Sequence, residues 1–306
     1  MTRCMKSIIT LSTRTLEKIV NSPEIILENW EAFWEDERPQ KLTKLWAEGV
    51  KYAIPFDEWK LKFQKWADLS LEARKNHIFM KNTHKIVESK EIFRQKALPL
   101  ICAYLPGEVD IDVTIHFTAF IPSNAFAWQD IVISVNAPHW NDNPDNVLNI
   151  LVHEIFHAGY SFCRELRSEE PLEDESVYRM LDNFQSEGIC TYVGYQALEA
   201  FPAPDEKDYQ LLDNILDVQR LLKDLNEVFS KVRDLSTEDL QKLAWEKCVI
   251  GRAYYVVGAY MCKIIEEKEG REALIQTLTT GPLSFIKRYN SLVNEELEIN
   301  LSKILY

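Results

Sequence analysis

Glycine and proline are scarce, with 9 and 12 among 306 residues. That scarcity excludes a collagen-like or low-complexity chain. No apolar run approaches the roughly 18 residues that a membrane helix needs, so no membrane role is expected. Basic residues are outnumbered: 35 Lys+Arg against 48 Asp+Glu give a net charge of 35 − 48 = −13. A nucleic-acid backbone requires the opposite surplus and is excluded as an expected partner. Cysteines number six, at Cys4, Cys102, Cys163, Cys190, Cys248 and Cys262. None is spaced C-x-x-C, and the irregular intervals do not form a disulfide framework. Buried reduced thiols and a cytoplasmic location are the expectation. The early run Ser7-Ile8-Ile9-Thr10-Leu11 is too short and too hydroxylated for the apolar core of a signal peptide.

What is present is apolar residues at helical spacing. From about Leu11 to Leu105 the pattern predicts helices, with Ile19, Ile26, Trp30, Phe33 and Trp34 in one stripe. Ser22-Pro23 opens one of them, Ser22 as N-cap and Pro23 in the first position. Five of the eight tryptophans precede residue 70: Trp30, Trp34, Trp46, Trp59 and Trp66. A packed helical core is expected of this cluster, ahead of a ligand-binding surface. The texture changes at Pro106-Gly107. Val109, Ile111, Val113, Ile115 and Phe117 alternate with polar residues and predict a half-buried strand, and Ile131–Val135 a second, in a small antiparallel sheet. Helices resume after Asn143, a cap, and Pro144, a first-turn residue, and continue to the end of the chain. The expected fold is α+β and predominantly helical, divided into a helical region 1–106 and a mixed region 107–306. The acidic stretch from Glu169 to Glu175 is expected as a solvated loop and helix start.

One motif carries chemistry. His153-Glu154-Ile155-Phe156-His157 is H-E-x-x-H. Residues four apart share a helix face, so both imidazoles can address one ion. Glu154 is rotated away from that face by one residue and is placed to reach a water beside the ion. Val147, Leu148, Ile150, Leu151, Val152, Ile155 and Phe156 make the helix strongly apolar. Two histidines in such a helix are costly unless paired or metal-bound. Catalytic zinc takes three protein ligands and keeps one position for water. The extended metzincin pattern fails, because Tyr160 and Cys163 stand where it requires Gly and His. Glu187 is the preferred third ligand, on a helix with small neighbours and with Gly188 allowing close approach to another helix. His139, on the loop before the motif, and Cys190, whose thiolate suits closed structural sites, are the weaker alternatives. Asp182 or Asn183, about one turn before Glu187, can orient a ligating histidine.

At His153, Glu154, His157 and Glu187 the chain resembles the gluzincin group of zinc metallopeptidases. The likeness is closer to bacterial zinc-dependent peptidases of unassigned substrate. In those an Asn/Ser-Glu-Gly-x-Ala/Cys-x-Tyr segment, here Ser186-Glu187-Gly188-Ile189-Cys190-Thr191-Tyr192, follows the zinc helix, and a Tyr-rich helix, here Tyr254–Met261, comes later. The resemblance covers about residues 130–290 and says little of residues 1–105. It implies a zincin-like core, a Zn²⁺ cofactor, a peptide or protein substrate, and amide hydrolysis with Glu154 as general base. It also implies a downstream phenol as oxyanion donor, Tyr255 ahead of Tyr254, and a substrate that pairs with the strand before the zinc helix, for which a plain core strand is the equal alternative. The competing expectation is a non-catalytic metal-binding or partner-binding helical protein. The intact Glu154 speaks against it, since a structural site has no need of that carboxylate.

Overall fold

The structure is a computed structural model that describes residues 7–49, 56–69, 72–107, 109–121, 123–136, 144–204 and 206–305. It opens with strand β1 (Ser7–Ser12). Seven helices follow: α1 (Arg14–Asn21), α2 (Pro23–Glu28), α3 (Trp30–Asp36), α4 (Arg38–Gly49), α5 (Phe56–Asp68), α6 (Glu72–Glu88) and α7 (Lys90–Ala103). Pro23 takes the first position of α2 as expected, although the Ser22 side chain makes no capping bond. The tryptophan cluster is a packed core. Trp30, Trp34, Trp59 and Trp66 are buried. The Trp30 ring meets Phe63 at 5.3 Å and Trp34 edge-on at 6.0 Å, and Phe63 in turn meets Trp66 at 5.4 Å and Phe120 at 5.1 Å. Trp46 is half-buried and stacks on Phe126 at 5.2 Å.

Strands β2 (Ile111–Thr118), β3 (Ala125–Ala127) and β4 (Ile131–Ser134) complete a four-stranded sheet of order β1-β2-β4-β3. The alternation in β2 is real: Ile111, Val113, Ile115 and Phe117 are buried, and Asp112 is exposed. The class is α+β and predominantly helical, as expected, but the sheet is mixed and not antiparallel. β1 runs parallel to β2, β2 parallel to β4, and only β3 is antiparallel to β4. Two strands that the alternation does not reveal account for this: β3 lies between β2 and β4 in the chain and pairs antiparallel to β4, leaving β2 and β4 parallel, and β1 adds a second parallel pair. The Ser7–Leu11 run is a strand whose partner follows seven helices later, and parallel pairing needs such a long crossover. β4 is buried at all four positions and lies between β2 and β3, so it is an interior strand with no open edge for a substrate backbone.

The rest of the chain is helical: α8 (Pro144–Glu165), α9 (Glu175–Gln196), α10 (Lys207–Leu212), α11 (Ile215–Ser230), α12 (Thr237–Ala244), a π-helical turn (Trp245–Ile250), α13 (Ala253–Glu269), α14 (Arg271–Thr280), α15 (Pro282–Asn290) and α16 (Ser302–Leu305). The acidic stretch does more than line a loop. Asp174 caps α9 by accepting from the Ser176 and Val177 amides at 3.0 and 3.3 Å, and the Ser176 hydroxyl at 2.6 Å, with those amides behind it, depresses its carboxyl pKa. Glu169 accepts from the Leu283 and Ser284 amides at 3.2 and 2.8 Å and so caps α15. Among the described residues no single helix is long and apolar enough to cross a membrane.

The chain divides into two compact units. Among the described residues, one holds 7–99 together with Asp110–Ala158, and the other holds Leu100–Val109 and 159–305. This is not the single cut near residue 106 that the sequence pattern predicts. Strands β2 and β4 belong with the N-terminal helices because β1 is their sheet partner. Cys163, Cys190, Cys248 and Cys262 are free and buried, as expected, whereas Cys102 is disulfide-bonded, which corrects the expectation of thiols throughout.

Candidate metal centre

α8 is a 22-residue helix that opens on Pro144, whose missing N–H costs nothing in the first turn. Leu148, Leu151, Val152, Ile155 and Phe156 are buried along it. The expected cap Asn143 and the alternative ligand His139 lie outside the described residues. Four-residue spacing brings the two imidazoles together. The His153 and His157 rings lie 4.8 Å apart at 73°, with their Nε2 atoms 3.0 Å from one another. Glu187, on α9, joins them: one ligand atom from each of His153, His157 and Glu187 lies within 4.8 Å of the others, and all three residues are half-buried. Cys190 is buried and is not part of this group.

This donor set fits zinc. Two nitrogens bound at about 2.0–2.1 Å in a tetrahedral site stand about 3.3 Å apart, close to the separation here. An imidazole–imidazole hydrogen bond would explain 3.0 Å for the histidines alone, but not the convergence of a carboxylate on the same point. Two neutral nitrogens and one carboxylate suit a catalytic site that leaves a position open. Glu154 is only 7% exposed, one residue from the first histidine.

Of two expectations about the surroundings, one holds and one is corrected. Gly188 permits close approach to another helix, and that helix is α13. A Cβ on Gly188 would lie 2.4 Å from the Gly258 Cα, and one on Gly258 2.5 Å from the Gly188 Cα. The crossing of α9 and α13 therefore sits one residue from Glu187 and one turn from Tyr255. Asp182 is engaged elsewhere than at a histidine: its carboxylate accepts from Tyr160 at 2.8 Å, from Arg164 at 2.8 Å, and from Arg167. Asn183 is exposed.

The two phenols separate clearly. Tyr254 is core: it is 4% exposed, its ring lies 5.8 Å from Phe184, and burial pushes its phenol far up. Tyr255 is half-buried beneath a cation. The Arg252 guanidinium carbon stands 3.3 Å from the centre of the Tyr255 ring. Arg252 and its partner Asp208 carry no sequence motif and were not foreseen. Arg252 has φ 72°, a left-handed conformation that costs a non-glycine residue roughly 1–2 kcal/mol. It follows the π-helical turn, at a break where α12 and α13 bend by 64°. Its Nε donates to both Asp208 carboxylate oxygens, at 2.9 and 3.2 Å, and Asp208 is 4% exposed. Burial opposes the guanidinium charge, yet the carboxylates of Asp208 and Glu187 and the Tyr255 phenol outweigh it and hold the proton firmly. Strain of this kind, next to a π-turn, accumulates at functional positions.

Fold and site together define a predominantly helical α+β protein with a His/His/Glu group able to hold a metal ion. Residues 21–297 match the family described as "Putative zinc dependent peptidase (DUF5700)", and the chain belongs to that family. No curated protein and no solved structure matches it.

Proposed function

We propose that the protein is a zinc metallopeptidase of the H-E-x-x-H-plus-Glu kind, hydrolysing amide bonds of a peptide or protein substrate. The observation that carries this reading is the convergence of His153, His157 and Glu187 beside a buried Glu154. His153, His157 and Glu187 would hold the zinc ion, which when bound would supply Lewis acidity toward a carbonyl and bring the pKa of a water to about 7. Glu154 takes the proton of the attacking water and delivers it to the leaving amine. The Tyr255 O–H donates to the oxygen that gains charge in the tetrahedral intermediate. Arg252, stacked on the ring and anchored by Asp208, keeps that phenol from swinging away.

The experiment compares wild type with Glu154→Gln on a library of unstructured peptides, with and without chelator. Glu154→Gln is expected to keep zinc and lose hydrolysis by a factor of at least about 10². Activity retained in that variant removes Glu154 as the base. A non-catalytic metal-binding protein is the competing reading, and it predicts zinc in both proteins and cleavage by neither.

A further inference from the structure

The face of α8 that carries the histidines continues past them. His153, His157, Tyr160 and Arg164 follow at intervals of four, three and four, which keeps all four on one side of the helix, and Arg167 lies two residues past its end. The reaction uses only the first two. The others meet α9. The Tyr160 hydroxyl is buried and lies 2.8 Å from Asp182 Oδ1 and 3.0 Å from Gln185 Oε1. Arg167 donates to both the Tyr160 oxygen and Asp182 Oδ1, and Arg164 Nε stands 2.8 Å from Asp182 Oδ2. Gln185 Nε2 donates to the Thr277 carbonyl of α14 at 2.9 Å. Burial keeps the Tyr160 phenol protonated, so it stays a donor.

A buried ionic cluster of this kind is a poor route to stability, because apolar side chains of the same volume do as well or better. Its distinctive property is direction. Apolar faces tolerate sliding, whereas four groups bonded at fixed angles do not. Sliding α9 by one residue shifts it 1.5 Å and turns it by about 100°, enough to withdraw Glu187 from the histidines. Along α8 the partners on α9 appear in reverse order, Glu187 at His153 and His157, then Asp182 and Gln185 at Tyr160. The cluster is thus the next contact along the same helix pair.

We propose that Tyr160, Arg167 and Asp182 are positioning residues that set the register of α9 against α8 and thereby hold Glu187 on the histidine pair. The proposal rests on the metal-site reading. Its test is zinc affinity, measured on the full chain by competition with a chromophoric chelator well below the melting temperature. The variants are Tyr160→Phe and Arg167→Met, with Tyr289→Phe as control. Tyr289 is buried and loses one hydrogen bond, to the Leu297 carbonyl at 3.0 Å, away from the cluster. Tyr160→Phe and Arg167→Met are expected to weaken zinc binding by roughly 10- to 100-fold. Tyr289→Phe is expected to lower the melting temperature without weakening zinc. Wild-type zinc affinity in Tyr160→Phe overturns the proposal, and so does an equal loss in Tyr289→Phe. If Arg167→Met does not fold, Tyr160→Phe, which removes a single hydroxyl, decides alone. A wild type that binds no zinc sinks the metal reading itself, a result distinct from unchanged affinity in the variants.

Discussion

The Trp-rich helices and the α8–α9–α13 helices bury their interiors in opposite ways. Around Trp30 and Phe63 the core is aromatic and tolerant: the indole N–H groups of Trp30 and Trp66 are buried without a hydrogen-bond partner. Around α9 the interior holds Asp182, Gln185 and Tyr160, bonded to Arg164, Arg167 and Thr277. In the first region buried apolar area is set against the cost of the unpaired indole donors. The second keeps polar groups where position matters. The lesson is that stability and site geometry are carried by different chemistry in the same chain, so each can be damaged with the other spared.

The sharpest way to break this contrast is Trp30→Ala. Removing the buried indole is expected to cost about 3–5 kcal/mol in urea unfolding while the folded fraction keeps its zinc. Zinc lost in proportion to stability would erase the distinction. Tyr255→Phe probes the opposite case. It is expected to lower kcat by about 10²-fold with the melting temperature and zinc content unchanged. Full turnover would show that the phenol under Arg252 does not face the reaction. Gly258→Ala lies between the two. Its new Cβ meets the backbone of α9 beside Glu187, and a loss of about 1–3 kcal/mol together with weaker zinc binding is expected. A loss of stability alone would separate the α9–α13 crossing from the metal centre.

How much of this could be read beforehand depended on how local each feature is. The approach of His153 to His157 was legible because a four-residue spacing on one apolar helix is a complete local statement. Strand β2 was legible from its alternation, and Glu187 from its neighbours and the resemblance. β1 was not, because six residues beside a run of helices say nothing of a partner beginning at Ile111. That omission led to the cut at residue 106, and the three-residue β3, too short to show an alternation, to the expected antiparallel sheet. Arg252 was hidden for another reason: arginine does not favour a left-handed φ, and Asp208, 44 residues earlier, is not foreshadowed. Asp182 was noticed in its correct place but for the wrong partner. A carboxylate near a histidine ligand suggests a histidine contact, but Arg164, two turns beyond His157 on α8, and Arg167, just past the end of that helix, take it instead.

The central claim is the three-ligand site, and metal content by mass spectrometry on wild type beside Glu187→Ala tests it most directly. About one zinc per chain in wild type, clearly reduced in Glu187→Ala, is the predicted result. Equal zinc in both proteins, or none in wild type after supplementation, would contradict it.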